Sequence, residues 1–316
     1  MSNNGAAGQG GSAPPSLWLP PLLALCWGLN WPAVRVILTE WPPFTFRFVG
    51  LGLAGLLLLG LALLRGAALR PPRGTLWLVV AGGFFNVAGF NLATAFAQLH
   101  TTTSRAAVLT YTMPLMMALL AWWLLRERPG RRVWLALGLG AAGLALLAEP
   151  VAAALGAHGL GRTADGRLPL LGIAMPLLAA LSWALGTVVA KRWGHPGDRL
   201  ANTGWQMMVG CACAAVGIGL SGERWPVAVS PLGLAVLGYH VVVATAFAYL
   251  LWYRMLDGAS ASVSSLTTLM VPVVGVLGAM LLNGERPDAQ DIAGFALVLA
   301  AAGAILLPAW RRRGAP

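Results

Sequence analysis

The stretch VPVVGVLGAMLLNGERP, residues Val271–Pro287, has a near copy in MPLMMALLAWWLLRERP, residues Met113–Pro129. In each stretch a proline, Pro272 or Pro114, precedes the glutamate of a Glu-Arg-Pro sequence by thirteen positions, and almost every residue between them is apolar. The two copies lie half the chain apart. A sequence that recurs at such a distance predicts an internal duplication, in which each half of the chain contains the same helical unit.

The composition predicts that much of the surface of this chain contacts lipid. Of the 316 residues, 58% are hydrophobic and only 10% are charged, whereas soluble domains carry roughly 25% charged residues. A helix needs about 17–25 apolar residues to cross a bilayer, and lipid favours helices because all backbone polar groups must be paired. Ten intervals without Asp, Glu, Lys or Arg are candidates for such helices: Leu17–Val34, Phe48–Leu64, Gly74–Leu99, Ala106–Leu125, Val133–Ala148, Leu168–Ala190, Leu200–Gly222, Trp225–Tyr253, Gly258–Gly284 and Ile292–Trp310.

Each half of the chain contains five of these intervals. Because five is odd, the second half must enter the membrane from the opposite side. The flanking charges agree, since RERPGRR after the first motif is basic and GERPDAQD after the second is acidic. We predict an all-α integral membrane protein with ten transmembrane helices, arranged as two inverted five-helix repeats around a central cavity. The expected units are a disordered tail at 1–16, a first repeat at 17–148, a linker loop at 149–168, a second repeat at 169–308 and a basic tail at 309–316.

The distribution of the basic residues indicates membrane orientation rather than nucleic-acid binding, although the net charge is +11. With the N-terminus inside, the loops on that side contain fourteen Lys and Arg residues, and the opposite loops contain seven, Arg47 among them. This excess fits the positive-inside rule with both termini in the cytoplasm. We expect a multi-pass protein of the bacterial inner membrane.

Several paired features suggest a known family. The halves share a tryptophan in the first helix, Trp27 and Trp183, a basic residue at its end, Arg35 and Lys191, and the P…ERP sequence that closes the fourth helix. The chain resembles the drug/metabolite transporter superfamily, in particular its EamA-type branch with ten helices, and within it the bacterial exporters of aromatic amino acids. The resemblance implies a basket of helices in which one, three, four, six, eight and nine line a cavity and five and ten are peripheral. It also implies export by alternating access.

The halves differ at the start of their second helices. Arg47, between two phenylalanines, resembles an arginine of the family, whereas the corresponding part of the second half reads NTGWQ, residues 202–206. The repeat is therefore not expected to be symmetric at this point.

Uncharged polar residues inside the predicted helices are candidates for binding a substrate, because polar groups in lipid need a partner or a function. Asn91, Thr94 and Gln98 share one face of the third helix, and Phe90 lies beside them. Asn and Gln can bond both the carboxylate and the ammonium of an amino acid. Hydrogen bonds between helices are an equally good explanation for these residues and for Asn86.

Aromatic residues deep in the predicted helices are the second group of candidates. Tyr111, Trp183 and Tyr249 could stack on an aromatic or amphipathic substrate. Trp and Tyr also form belts at the membrane interface. Those near the ends of segments are assigned to such belts: Trp122, Trp123, Trp225, Trp252 and Trp310.

His240 is the only histidine inside a predicted helix, and none of these helices contains Asp or Glu. A carboxylate proton relay therefore has no candidate. We expect transport that is passive, or coupled weakly to protons through His240, since imidazole titrates near neutral pH in water.

Pro114 and Pro272 occupy the same position in the two repeats. Proline kinks a helix because it lacks an N–H and clashes with the preceding turn. We expect both to act in gating, although proline is also simply frequent in membrane helices.

Motifs typical of other functional classes are either absent from this sequence or lie in the wrong structural context. GLGAAG, residues 138–143, matches G-x-G-x-x-G, but it lies in an apolar helix without a preceding strand and indicates helix packing. The sequence has no GK[ST] for ATP and no G-x-S-x-G, and its three cysteines have no histidine at metal-ligand spacing. We expect no cofactor, no metal and no enzymatic activity.

These patterns together favour a transporter that exports small amphipathic metabolites, above all aromatic amino acids, with the bilayer and a small-molecule substrate as its partners. One alternative is an exporter of other amino acids or of drugs. Another is a membrane scaffold that transports nothing, or a lipid-modifying enzyme.

Overall fold

The computed structural model describes residues 18–125, 129–158, 167–252 and 261–306, and the regular secondary structure of these residues is entirely helical. This confirms the predicted all-α class. The predicted tails and Glu127 lie outside the described residues. In chain order the helices are α1 Leu19–Gly28, α2 Asn30–Ile37, α3 Pro43–Leu64, α4 Leu76–His100, α5 Thr103–Thr110, α6 Met113–Leu125, α7 Arg131–His158, α8 Pro169–Trp193, α9 Arg199–Ser221, α10 Pro231–Trp252, α11 Ala261–Leu282 and α12 Ala289–Leu306.

Six helices of the described part are long and apolar enough to cross a bilayer: Pro43–Leu64, Leu76–His100, Arg131–Ala148, Pro169–Ala190, Arg199–Ser221 and Pro231–Trp252. Their outer faces carry large apolar side chains such as Leu64 and Leu220, both 85% exposed. Such a surface is unfavourable in water and suits lipid. The chain is a multi-pass membrane protein, and the number of ten spans remains a prediction.

Local sequence signals set the ends of several helices. α3, α8 and α10 begin with proline in the first turn, where a missing N–H has no cost. The Asp198 carboxylate caps α9 by accepting from the backbone N of Ala201 at 2.9 Å, and the Ser230 hydroxyl caps α10 by accepting from that of Gly233 at 2.9 Å. α9 ends at Gly222, whose φ of 68° is left-handed.

Two of the predicted continuous helices are broken. The first is divided at Leu29 into α1 and α2, and the fourth is divided at Tyr111 and Thr112 into α5 and α6. Pro114 is consequently the second residue of α6 rather than a mid-helix kink, a position where proline fits because the first turn needs no N–H donor. Pro272 does lie inside α11, as predicted.

α7 is longer than the sequence suggested. The predicted linker loop at 149–168 is helical in its first ten residues, because α7 continues to His158. The segment VAAALGA after Pro150 is rich in alanine and leucine, the residues with the strongest helix propensity. The boundary of the first repeat at 148 therefore falls within a helix.

α4 and α10 each contain a π-helical segment, Gly83–Gly89 and Tyr239–Phe247. In the second, the Thr245 hydroxyl donates to the backbone O of His240, five residues earlier, at 2.8 Å. A π-helical turn rotates the side chains that follow it relative to an α-helix and is frequent at functional sites. The two segments occupy corresponding positions in the two halves of the chain.

Helices pack mainly against helices from the other half of the chain. α3 packs along α9, α7 along α12, α4 against α8, and α1 against α11. The α7–α12 contact is close because a Cβ on Gly143 would lie 2.9 Å from the backbone O of Gly294. This agrees with the packing interpretation of GLGAAG, since small residues let membrane helices approach each other.

Candidate functional site

A cavity of about 240 Å³ lies among α1–α4, α8–α11 and the break between α5 and α6. This volume is slightly below the usual range for ligand pockets, about 300–1,000 Å³. Its wall contains every residue that the sequence proposed for substrate binding: Phe90, Asn91, Thr94, Tyr111, Trp183, His240 and Tyr249. Pro114 and Pro272 are not in the wall, but Met113 and Val271, which precede them, are. The structure thus brings residues from distant parts of the chain to one place.

Aromatic rings form two sides of the cavity. Phe90 of α4 and Trp183 of α8 lie with ring centroids 5.0 Å apart, tilted by 58°. On another side, Trp27 contacts Tyr249 at 6.1 Å and Trp252 at 5.6 Å. Trp252, which the sequence assigned to an interfacial belt, therefore also lines the cavity. Its position one turn after Tyr249 on α10 was the signal for this role.

Asn86 and Asn91, two asparagines of α4, have different roles. Asn91 lines the cavity, and its Nδ2 donates to the backbone O of Val87 in the same helix, at 2.9 Å. The Nδ2 of Asn86 donates to the backbone O of Trp183 at 3.1 Å and joins α4 to α8. The helix-bonding explanation thus applies to Asn86.

Arg47 is a wall residue that the sequence placed in a loop. It lies in the first turns of α3 and is only 2% exposed. Burial follows from Pro43, which begins the helix four residues earlier and carries Arg47 into the packed bundle. The signal in the sequence was its place between two phenylalanines, Phe46 and Phe48. Arg47 was counted among the basic residues of the outer loops. Without it, the predicted excess of basic residues in the cytoplasmic loops becomes larger.

The polar side of the cavity joins Arg47, His240, Asn30 and Thr94. The Nη1 of Arg47 lies 3.5 Å from His240 Nε2, and its Nη2 donates to the Thr94 hydroxyl at 3.4 Å. His240 Nδ1 lies 2.7 Å from Asn30 Oδ1. The amide oxygen accepts from Nδ1–H, so Nε2 is free to accept from the guanidinium, as expected for a neutral imidazole. Within the described residues the cavity wall contains no acidic side chain.

Carboxylates link the two halves at the end of the molecule where α3, α5 and α10 begin. Each caps a helix start in the other half of the chain: Glu40 at Ser230, Glu223 at Thr45 and Glu285 at Ser104. The hydrogen bonds from the hydroxyl and backbone N–H of Ser230 lower the pKa of Glu40. Arg105 adds a salt bridge to Asp291 at 2.5 Å. Glu285 of the duplicated motif therefore stabilises contacts between the halves.

Comparisons with known proteins fit this architecture. The inner membrane transporter YedA of Escherichia coli (strain K12) is 25% identical over 292 residues, which cover 91% of this chain and 90% of YedA. The transporter sll0355 of Synechocystis sp. is 30% identical over 284 residues, which cover 86% of this chain and 84% of that protein. A crystal structure with 22% identity, covering 94% of this chain and 99% of the other, has the same fold with a TM-score of 0.60.

The EamA-like transporter family matches residues 17–148 and, a second time, residues 170–307. The two matches together cover most of the chain and include the cavity-lining helices. This chain therefore belongs to the EamA-like transporter family and is a membrane transporter.

Proposed function

We propose that this transporter exports small amphipathic metabolites, with aromatic amino acids as the leading candidates, and that the substrate binds in the central cavity. The observation that carries the proposal is the composition of the cavity wall. Aromatic rings at Phe90, Trp183 and Tyr249 share this wall with hydrogen-bonding groups at Asn91 and Thr94. An amphipathic molecule needs both kinds of contact, because its apolar part gains from stacking and its polar part from hydrogen bonds.

The mechanism we propose is alternating access between two inverted repeats of five transmembrane helices. Two observations favour it. The family matches twice, in residues 17–148 and 170–307, close to the two predicted repeats. The helix pairs also follow the symmetry of such a repeat, since α1 packs on α11 as α8 packs on α6. Substrate sites near the midplane between such repeats are typical of secondary transporters.

In this mechanism the two ends of the cavity open in turn. The carboxylate caps of Glu40, Glu223 and Glu285 hold one end together in this structure, and opening that end requires these contacts to break. Pro272 inside α11 and the break before Pro114 supply places where the helices can bend. The gating role of both prolines belongs to this proposal.

The chain is a multi-pass protein of the bacterial inner membrane, as the similarity to YedA and the membrane-spanning helices indicate. We propose that both termini are cytoplasmic, because the basic residues are concentrated in loops on that side. The end that the carboxylates close would then face outwards.

We propose that transport is passive and is not coupled to a proton gradient. His240 is hydrogen-bonded at both ring nitrogens, and Arg47 lies beside Nε2. A proton on Nε2 would put two cations together in a buried place, which is unfavourable. His240 therefore serves better as a fixed part of the wall than as a proton carrier.

The test is flux of labelled amino acids into liposomes that contain the purified protein. We expect uptake of tryptophan, phenylalanine and tyrosine, a loss of about tenfold or more in Trp183→Ala as expected for a lost stacking contact, and no dependence on a pH gradient. Trp123→Ala changes an exposed tryptophan outside the cavity and is the matched control. Uptake of small polar amino acids or of cationic drugs alone would favour the alternative substrates, and no uptake of any solute would favour a scaffold.

A further inference from the structure

Arg47 is a buried cation with few partners. Its guanidinium offers five N–H donors, yet it makes two contacts in the structure, at 3.4 and 3.5 Å, both near the limit of a hydrogen bond. Its Nε has no hydrogen-bond partner among the residues that the structure describes. The Phe46 ring, with its centroid 4.6 Å from the guanidinium carbon, covers one face. Since buried charges are normally paired, this arginine lacks the anion that would complete its environment.

A second polar atom of the wall is also unpaired. The Oε1 of Gln98, a side chain only 1% exposed, has no hydrogen-bond partner within the described part of the chain. Gln98 lies one helical turn after Thr94, the residue that contacts Arg47, and so faces the cavity beside it. The backbone O of Gln98 accepts a hydrogen bond from Arg35, which fixes this end of α4. The same cavity wall therefore contains an acceptor and a donor that lack partners among the described residues.

Arg47 and Gln98 together suit a ligand that carries an anionic group and a hydrogen-bond donor. An anion placed at Arg47 would satisfy Nε and the two Nη groups together, since arginine binds carboxylates with parallel hydrogen bonds. A donor such as an ammonium would satisfy Gln98 Oε1. A ligand that carries only a positive charge would meet the guanidinium without compensation. The neighbouring aromatic pair, Phe90 and Trp183, leaves a stacking surface for the remainder of the ligand.

We propose that Arg47 and Gln98 form the head-group site of the transporter, in which Arg47 binds the carboxylate of the substrate and Gln98 accepts a hydrogen bond from its ammonium. This inference rests on the proposed function and narrows its substrate class. The transporter takes carboxylate-bearing aromatic molecules, best of all α-amino acids, and rejects cationic amines. Arg47 is the residue that determines this specificity.

The experiment measures equilibrium binding of tritium-labelled L-tryptophan to the full-length protein in lipid nanodiscs. Indole-3-propionate, which retains the carboxylate, and tryptamine, which retains the ammonium, are the competitors. We expect the affinity of tryptamine to be lower than that of L-tryptophan by about tenfold or more, because tryptamine lacks the carboxylate and loses the charge-assisted contact with Arg47. Indole-3-propionate should bind more strongly than tryptamine.

Substitutions test separately whether Arg47 binds the carboxylate and whether Gln98 binds the ammonium. Arg47→Gln should weaken L-tryptophan and indole-3-propionate by about tenfold or more and strengthen tryptamine, which then no longer meets a buried cation, while Arg47→Lys should keep part of the carboxylate preference. Gln98→Leu should weaken L-tryptophan but not indole-3-propionate. Arg65→Gln changes an exposed arginine at the other end of α3 and serves as the matched control. If Arg47→Gln does not fold, the Arg47→Lys variant and the competitors still decide the question.

The outcomes separate this inference from the proposed function. If liposomes transport L-tryptophan but tryptamine competes equally well, or Arg47→Gln binds like the wild type, the head-group site is wrong and the exporter proposal stands. If none of the three indole compounds binds and no amino acid is transported, the proposed substrate class is wrong and the head-group site with it.

Discussion

Asn86 and Asn91 of α4 are five residues apart. Asn86 lies within the π-helical segment Gly83–Gly89, and Asn91 lies two residues after its end. Asn86 belongs to the contact with α8, where a Cβ on Gly186 would lie 2.0 Å from its Oδ1. Asn91 follows the segment and faces the cavity. The same side chain thus has a packing function at one position and a candidate substrate function at the other.

Substitution of the two asparagines should separate stability from transport. Asn86→Leu removes an interhelical hydrogen bond, worth about 0.6 kcal/mol on average in membranes, and forces a bulkier side chain against Gly186, so the melting temperature should fall. Asn91→Leu should reduce tryptophan affinity and leave the melting temperature nearly unchanged. Thermal unfolding and ligand binding of both purified variants are the measurements, and equal effects of the two substitutions would contradict the assignment.

Glu40 provides a pH-dependent contact outside the membrane-spanning helices. Its pKa is lowered from the ordinary value of 4.5 by the hydrogen bonds from Ser230, so the folded state favours the carboxylate. The stabilisation is fully present above pH 4.5 and is lost as the pH falls through the lowered pKa. The melting temperature of wild type should exceed that of Glu40→Gln at pH 7, and the difference should shrink towards pH 3. A difference that stays constant over this range would contradict the contact.

At the scale of elements, the sequence predicted the helices well and their interruptions poorly. Charge-free intervals identify apolar segments, and each predicted segment is helical over most of its described residues. The break at Leu29 and the π-helical segments at 83–89 and 239–247 leave no mark in hydropathy, because the same apolar residues occur in regular and irregular turns. Arg47 was missed for a related reason, since a charge ends an apolar interval even where it is buried.

The seam between α7 and α12 can be tested with two glycines of the same motif. A Cβ on Gly143 would lie 2.9 Å from Gly294 O, whereas one on Gly138 meets nothing within 4 Å. Gly143→Leu should destabilise the protein by about 1–3 kcal/mol, as overpacking does, and Gly138→Leu, which faces outwards, should have no such effect. Thermal unfolding in detergent compares the two. A loss of stability in Gly138→Leu alone would mean that this seam is not the packing surface.

At the scale of the whole molecule, transport requires the end that the carboxylate caps close to open. Asn283 Nδ2 donates to the Thr103 hydroxyl across this end at 3.4 Å, so the two side chains face each other and cysteines at these positions are candidates for a disulfide. In a variant without the native cysteines, Thr103→Cys with Asn283→Cys should lose amino-acid flux on oxidation and recover it on reduction. Each single substitution is a control. Unchanged flux in the oxidised protein would show that this end stays closed during transport.

The inverted repeat makes a prediction about topology, because it places the two copies of the duplicated motif on opposite sides of the membrane. Gly130 follows the first Glu-Arg-Pro copy, Arg286 lies within the second, and both residues are exposed. In a cysteine-free variant of the whole chain, Arg286→Cys should react with a membrane-impermeant maleimide in intact cells. Gly130→Cys should react only after the cells are permeabilised, because basic loops stay in the cytoplasm. Permeabilised cells control for reactivity, since both cysteines must label there. Labelling of both from the same side would exclude an antiparallel duplication, and a cavity shared by two oppositely oriented halves would no longer explain transport.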